Sequence, residues 1–130
     1  MMPGVVAGFP LKPEAPTSVT LAGNDAAFWN AASPTPQATK AAGLVSLSGR
    51  FNGTNVSGSG HQQIVTTLPA GYRPATDLSG NYATWYTTAG VGQGPIAIRI
   101  LNNGVVALDA FAPSANGYIV FNSSLTFLAA

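Results

Sequence analysis

Few side chains in this 130-residue chain could do acid–base or metal chemistry. His61 is the one histidine, Glu14, Asp25, Asp77 and Asp109 are the carboxylates, and cysteine is absent. A general acid or base must stand within hydrogen-bond reach of its target, and no two carboxylates are close in sequence as a glycosidase pair might be. Serines are plentiful, but no Gly-x-Ser-x-Gly elbow exposes one as a nucleophile. His61 lies at a loop-to-strand junction and reads as a polar surface residue. One histidine and no thiolate leave only scattered oxygen ligands for a metal. The remaining metal arrangement is an ion on a symmetry axis, held by His61 from each of three subunits. The expectation is a chain with no catalytic residue, no metal and no cofactor.

Two other patterns invite a binding role. Gly90-x-Gly92-x-Gly94 has the spacing of a phosphate cradle, but it leads into Pro95 and a strand. A dinucleotide loop opens a helix instead, so this one reads as a flexible loop. Tyr82, Trp85 and Tyr86 form an aromatic set suited to a glycan or receptor contact: sugar CH faces stack on rings while hydroxyls find amide partners. The alternative is that Trp85 is core, with the tyrosines capping it or filling a subunit contact. The sequons at Asn52, Asn55 and Asn122 are what chance produces in an Asn/Ser-rich chain.

Composition sets the frame for these residues. The length suits one domain. Five Lys/Arg and four Asp/Glu give a net charge of +1, against about a quarter charged residues in ordinary soluble domains. So few cations cannot neutralise several phosphates, which argues against nucleic acid as a partner. No run approaches the ~18 apolar residues of a spanning helix, so no membrane insertion is expected. Met1 to Pro10 lacks the basic start and long apolar stretch of a signal peptide, and export by a dedicated leader is not expected.

The chain divides at about residue 43. Pro3, Pro10, Pro13, Pro16, Pro34 and Pro36 are six of the ten prolines, a density that forbids a long helix and disfavours central strands. One short helix is expected over 24–32, capped by Asn24 or Asp25. Otherwise residues 1–43 read as an extended arm. Val5, Val6, Phe9, Leu11, Phe28 and Trp29 are too apolar to be left in water, so the arm is expected to dock on a neighbouring subunit or a larger partner.

Residues 44–130 read as strands. Val45, Leu47 and Phe51 alternate with Leu44, Ser46 and Ser48; a polar Gly/Asn/Ser loop follows to residue 60, then a strand over 61–67. Another strand is expected over 81–88, and two apolar ones over 117–122 and 124–128. The clearest element is a hairpin over 95–110 with Asn102-Asn103-Gly104 as a three-residue loop and Gly104 in the left-handed position. Its register sets Ile96, Ile98 and Ile100 opposite Ala110, Leu108 and Val106, and brings Arg99 within diagonal reach of Asp109. Short strands with turn signals between them indicate an all-β fold, an antiparallel sandwich of jelly-roll-like form.

The rest is organised around Leu68-Pro69-Ala70-Gly71-Tyr72-Arg73-Pro74. Two prolines fix φ and push their predecessors towards extended geometry, and Gly71 is free to take positive φ. Leu68 and Tyr72 can anchor its ends, so it reads as a rigid structural corner.

This corner and its flanks carry a resemblance. Gly43-Leu44-Val45-Ser46-Leu47-Ser48-Gly49, an Asn/Gly loop, and Ile64-Val65-Thr66-Thr67-Leu68-Pro69-Ala70-Gly71-Tyr72-Arg73-Pro74 together resemble the distal domains of bacteriophage tail-fibre and minor tail proteins. The later hairpin and the final apolar Leu125-Thr126-Phe127-Leu128 look similar too, so the resemblance spans roughly residues 43 to 130. It implies a non-enzymatic homotrimer on the exterior of a virion, contacting other virion proteins through residues 1–43 and a host-surface glycan. No heptad or collagen-like repeat precedes the domain, so a capsid-decorating trimer is the alternative placement. A cell-wall or glycan hydrolase is the more distant one.

Overall fold

The computed structural model describes residues 15–56, 63–109, 116–122 and 125–130. These form eleven strands: β1 (Thr17–Thr20), β2 (Trp29–Ala31), β3 (Gln37–Ala41), β4 (Leu44–Ser48), β5 (Arg50–Gly53), β6 (Ile64–Thr67), β7 (Leu78–Thr87), β8 (Gly92–Ile100), β9 (Val105–Leu108), β10 (Gly117–Phe121) and β11 (Thr126–Leu128). A four-stranded sheet runs β1-β3-β4-β11 and a seven-stranded sheet runs β2-β5-β10-β7-β8-β9-β6. Every pairing is antiparallel. Within the larger sheet β7, β8 and β9 meander and β10 returns beside β7, the spatial order of a Greek key. The expected all-β antiparallel sandwich is the fold.

Alternation dictates which face of each strand is buried. Val45 and Leu47 of β4 point into the sandwich, as do Ile96, Ile98 and Ile100 of β8 and Ile119 and Phe121 of β10. Trp29 and Trp85 meet edge-to-face at 6.3 Å between ring centroids, and Phe51 and Phe121 do so at 6.2 Å. Such pairs contribute about 0.5–1.5 kcal/mol beyond the area they bury.

The hairpin adopts the expected register: Ile98 faces Leu108, Arg99 faces Ala107 and Ile100 faces Val106. Ala110, the expected partner of Ile96, lies outside the described residues. Gly104 has φ +95°, and its N–H donates to the Leu101 carbonyl at 2.8 Å. Arg99 Nε stands 3.1 Å from Asp109 Oδ1, and Ser79 Oγ donates to Asp109 Oδ2 at 2.7 Å. The two charged side chains are 45% and 37% exposed, so water screens the pair. Asp109→Asn is therefore expected to cost less than about 1 kcal/mol in urea denaturation; a larger loss would mean the pair is shielded.

The corner is built as its residues suggest. Leu68 is fully buried, Gly71 has φ +91°, and Tyr72 N–H donates to the Pro69 carbonyl at 3.1 Å. Arg73 Nε turns back to donate to the Leu68 carbonyl at 2.8 Å. Tyr72 Oη donates to Thr17 Oγ1 at 3.0 Å, Lys40 Nζ donates to the Gly71 carbonyl at 2.8 Å, and Pro74 bridges to Ala129. The corner thus leaves β6 in the larger sheet and is fastened to β1, β3 and the end of the smaller one.

Three expectations are corrected. The arm over 1–43 does not extend through its second half, because Thr17 to Ala41 supplies β1, β2 and β3. The described prolines of this segment are accommodated outside strand interiors: Pro16 precedes β1, Pro34 and Pro36 lie between β2 and β3, and β1 and β2 are sheet edges. Trp29 is a core residue with no exposed surface, and Phe28 is half-buried against that core, so neither is free for docking. The helix over 24–32 is a single turn: Phe28 and Trp29 N–H both donate to the Asp25 carbonyl, then Trp29 opens β2 opposite Gly53 of β5. Val5, Val6, Phe9 and Leu11 lie outside the described residues.

The strand read as continuous over 44–51 is also two. Gly49, at φ +99°, turns the chain so that β4 belongs to the smaller sheet and β5 to the larger.

Candidate functional site

Strands β5, β10 and β7 lie side by side, and their register decides what their outer faces bring together. Tyr118 stands opposite Asn52 on one side and Tyr86 on the other. Because Ile119 and Trp85 point inward, Tyr118 and Tyr86 point outward. The two tyrosine rings stack at 4.9 Å with an interplanar angle of 10°. From β5, the Arg50 guanidinium lies over Tyr118, its Cζ 3.6 Å from the ring centroid. Arg50 Nε donates to Asn52 Oδ1 at 3.0 Å. A planar cation held by one hydrogen bond and one aromatic face has little freedom left.

Beside this stack, at the ends of the same strands, is an open groove of about 450 Å³. Arg50, Asn52, Thr54, Thr88, Asn116 and Tyr118 line it, together with Gly53 and Gly117. Both glycines are buried and lie directly on the tryptophan pair. A Cβ at Gly53 would come within 3.1 Å of Trp29 Cζ3. One at Gly117 would come within 2.8 Å of Trp85 Cζ2 and collide with the Tyr86 carbonyl. The groove therefore has a backbone floor resting on indoles, a cationic wall, and amides and hydroxyls around it. Asn116 Oδ1 accepts the Asn55 N–H at 2.9 Å, which ties the two loops at its mouth.

Among the described residues no carboxylate lines the groove. Among the described residues the ion pair is that of Arg99 with Asp109, and no group of three His, Cys, Asp or Glu stands together as metal ligands. His61 lies outside the described residues.

The aromatic set named from the sequence is only partly assembled. Tyr86 belongs to the stack. Trp85 is wholly buried, so it is core and cannot touch a glycan or receptor. Its Nε1 has no hydrogen-bond partner among the described residues. Tyr82 lies at a bulge of β7, its ring against Gly80 and its hydroxyl 3.4 Å from the Ser79 carbonyl. The sequence reading names none of Arg50, Asn116 and Tyr118 for a site, and Asn52 only as a chance sequon. The usable signal was the alternation of Tyr118 against Ile119, which sends that ring outward.

No family of known proteins matches the chain, and no curated protein matches it in sequence. In three dimensions the chain is similar to the crystal structure of the receptor binding protein (gp15) of Listeria phage PSA. The TM-score is 0.64 at 20% identity, over 89% of this chain and 66% of that one. At that identity the likeness is one of architecture: the chain shares its fold with a protein whose crystal structure is described as that of a phage receptor binding protein.

Proposed function

We propose that the chain is a non-enzymatic bacteriophage structural protein, carried on the outside of the particle at the tail and taking part in adhesion to the host. The fold likeness to a phage receptor binding protein carries this reading. The tail-protein resemblance of the Leu68–Pro74 corner supports it independently, since those residues form a rigid junction between the two sheets. The body is proposed to trimerise, and the apolar residues Val5, Val6, Phe9 and Leu11 to join it to other virion proteins.

Purified chain added to host cells before infection is expected to reduce adsorption of the particles that carry it. Undiminished adsorption at saturating chain would overturn the adhesive role. Labelled antibody is expected at the tail in electron micrographs; label spread over the shell would assign the chain to capsid decoration. Sedimentation is expected to give three times the 13.2 kDa chain mass, and a monomer at all concentrations would remove the trimer.

A further inference from the structure

We infer that the groove between the ends of β5, β10 and β7 binds a saccharide bearing an anionic group, phosphate or carboxylate, with Arg50 as the anion contact. This rests on the reading of the chain as a surface-binding protein, and it names the chemistry of the ligand.

Charge is the first argument. The chain has only five Lys and Arg, yet one of them is fixed at this groove by a ring 3.6 Å beneath its Cζ and a side-chain amide at 3.0 Å. Among the described residues no carboxylate lines the groove to neutralise it. A guanidinium with one face and one N–H engaged retains η nitrogens in a fork that matches phosphate or carboxylate oxygens. Because stack and amide hold it in place, little side-chain entropy remains to be lost on binding.

The surroundings argue for a hydroxylated body behind that anion. Thr54 and Thr88 offer hydroxyls that can both donate and accept, and Asn52, its Oδ1 held by Arg50, offers amide N–H donors, as sugar hydroxyls require. The volume, about 450 Å³, falls within the roughly 300–1,000 Å³ range of small-molecule sites. Gly53 and Gly117 form its floor, and neither glycine can gain a side chain without meeting an indole, so the floor is fixed.

The test titrates the full chain, isotopically labelled for NMR, with glucose 1-phosphate, glucuronate, glucose and inorganic phosphate in separate arms. Either anionic sugar is expected to shift the amides of Gly53, Thr54, Asn116 and Gly117, and to bind at least tenfold more tightly than glucose and inorganic phosphate. The arm that shifts them distinguishes phosphate from carboxylate as the anion. Arg50→Gln is expected to lose at least tenfold in affinity, while Arg50→Lys, which keeps the charge without the planar fork, loses less. Glucose binding as tightly as the anionic sugars would overturn the inference. So would inorganic phosphate matching them, no shift in either anionic arm, or Arg50→Gln titrating like the unaltered chain. Host-cell adhesion by an unaltered chain that binds neither anionic sugar overturns the groove and leaves the adhesive role standing. Loss of adhesion by the unaltered chain, with sugar binding intact, does the reverse.

Discussion

Replacing Trp29 by alanine is expected to destabilise the fold by about 3–5 kcal/mol, the usual cost of emptying a large aromatic site. Trp29 has no exposed surface, packs edge-to-face on Trp85 at 6.3 Å, and supports Gly53 of the groove floor. The cavity it would leave is bounded by another indole and by paired backbone, neither of which can collapse into it. Against a total stability of about 5–15 kcal/mol for a domain, that loss removes much of the folded population. Urea denaturation with an unchanged slope would measure it. A companion deletion makes the same point about the chain's organisation. Removing residues 1–14 is expected to leave a cooperative unfolding transition, whereas removing 1–43 also takes β1, β2 and β3 and should abolish it. A loss below about 1 kcal/mol for Trp29→Ala, or a well-folded chain starting at residue 44, would return this segment to the status of a detachable arm.

Gly104→Ala is the second large effect. Gly104 has φ +95°, where a side chain is strained at about 1–3 kcal/mol. Its new Cβ would also lie 2.5 Å from the Leu68 carbonyl oxygen and 2.7 Å from Arg73 Nε. Overpacking of that kind costs about 1–3 kcal/mol more, and here it would push apart the Arg73–Leu68 hydrogen bond that closes the corner. Gly104→Asn separates the two causes. Asparagine tolerates the left-handed region better than alanine, yet its Cβ meets the same carbonyl. Equal losses in the two variants assign the effect to the collision, and a much milder asparagine variant assigns it to the dihedral. A loss below about 0.5 kcal/mol for alanine would mean that the corner gives way freely.

Gly104 also shows which parts of this fold were legible in the chain. The hairpin was readable because its determinants are local: an Asn-Asn-Gly loop sets the turn, and alternating Ile and Val allow one register with an apolar inner face. The corner was readable for the same reason, two prolines and a glycine within seven residues. The segment over 17–41 was not. Its prolines argue against strands locally, but Trp29 and Ala38 gain full burial only once β5 and β4 are there to receive them. Gly49 was equally silent, since a glycine after alternating residues does not announce that the next strand joins another sheet.

The candidate site divides along the same line. That Tyr86 and Tyr118 point out of their strands follows from Trp85 and Ile119 pointing in, and neighbouring residues state that much. That Arg50, Tyr118 and Tyr86 stack in one row depends on β10 entering between β5 and β7. No local preference encodes that choice. It is made by long-range burial, when the inner faces of both sheets close on the tryptophans and the outer faces take whatever neighbours result.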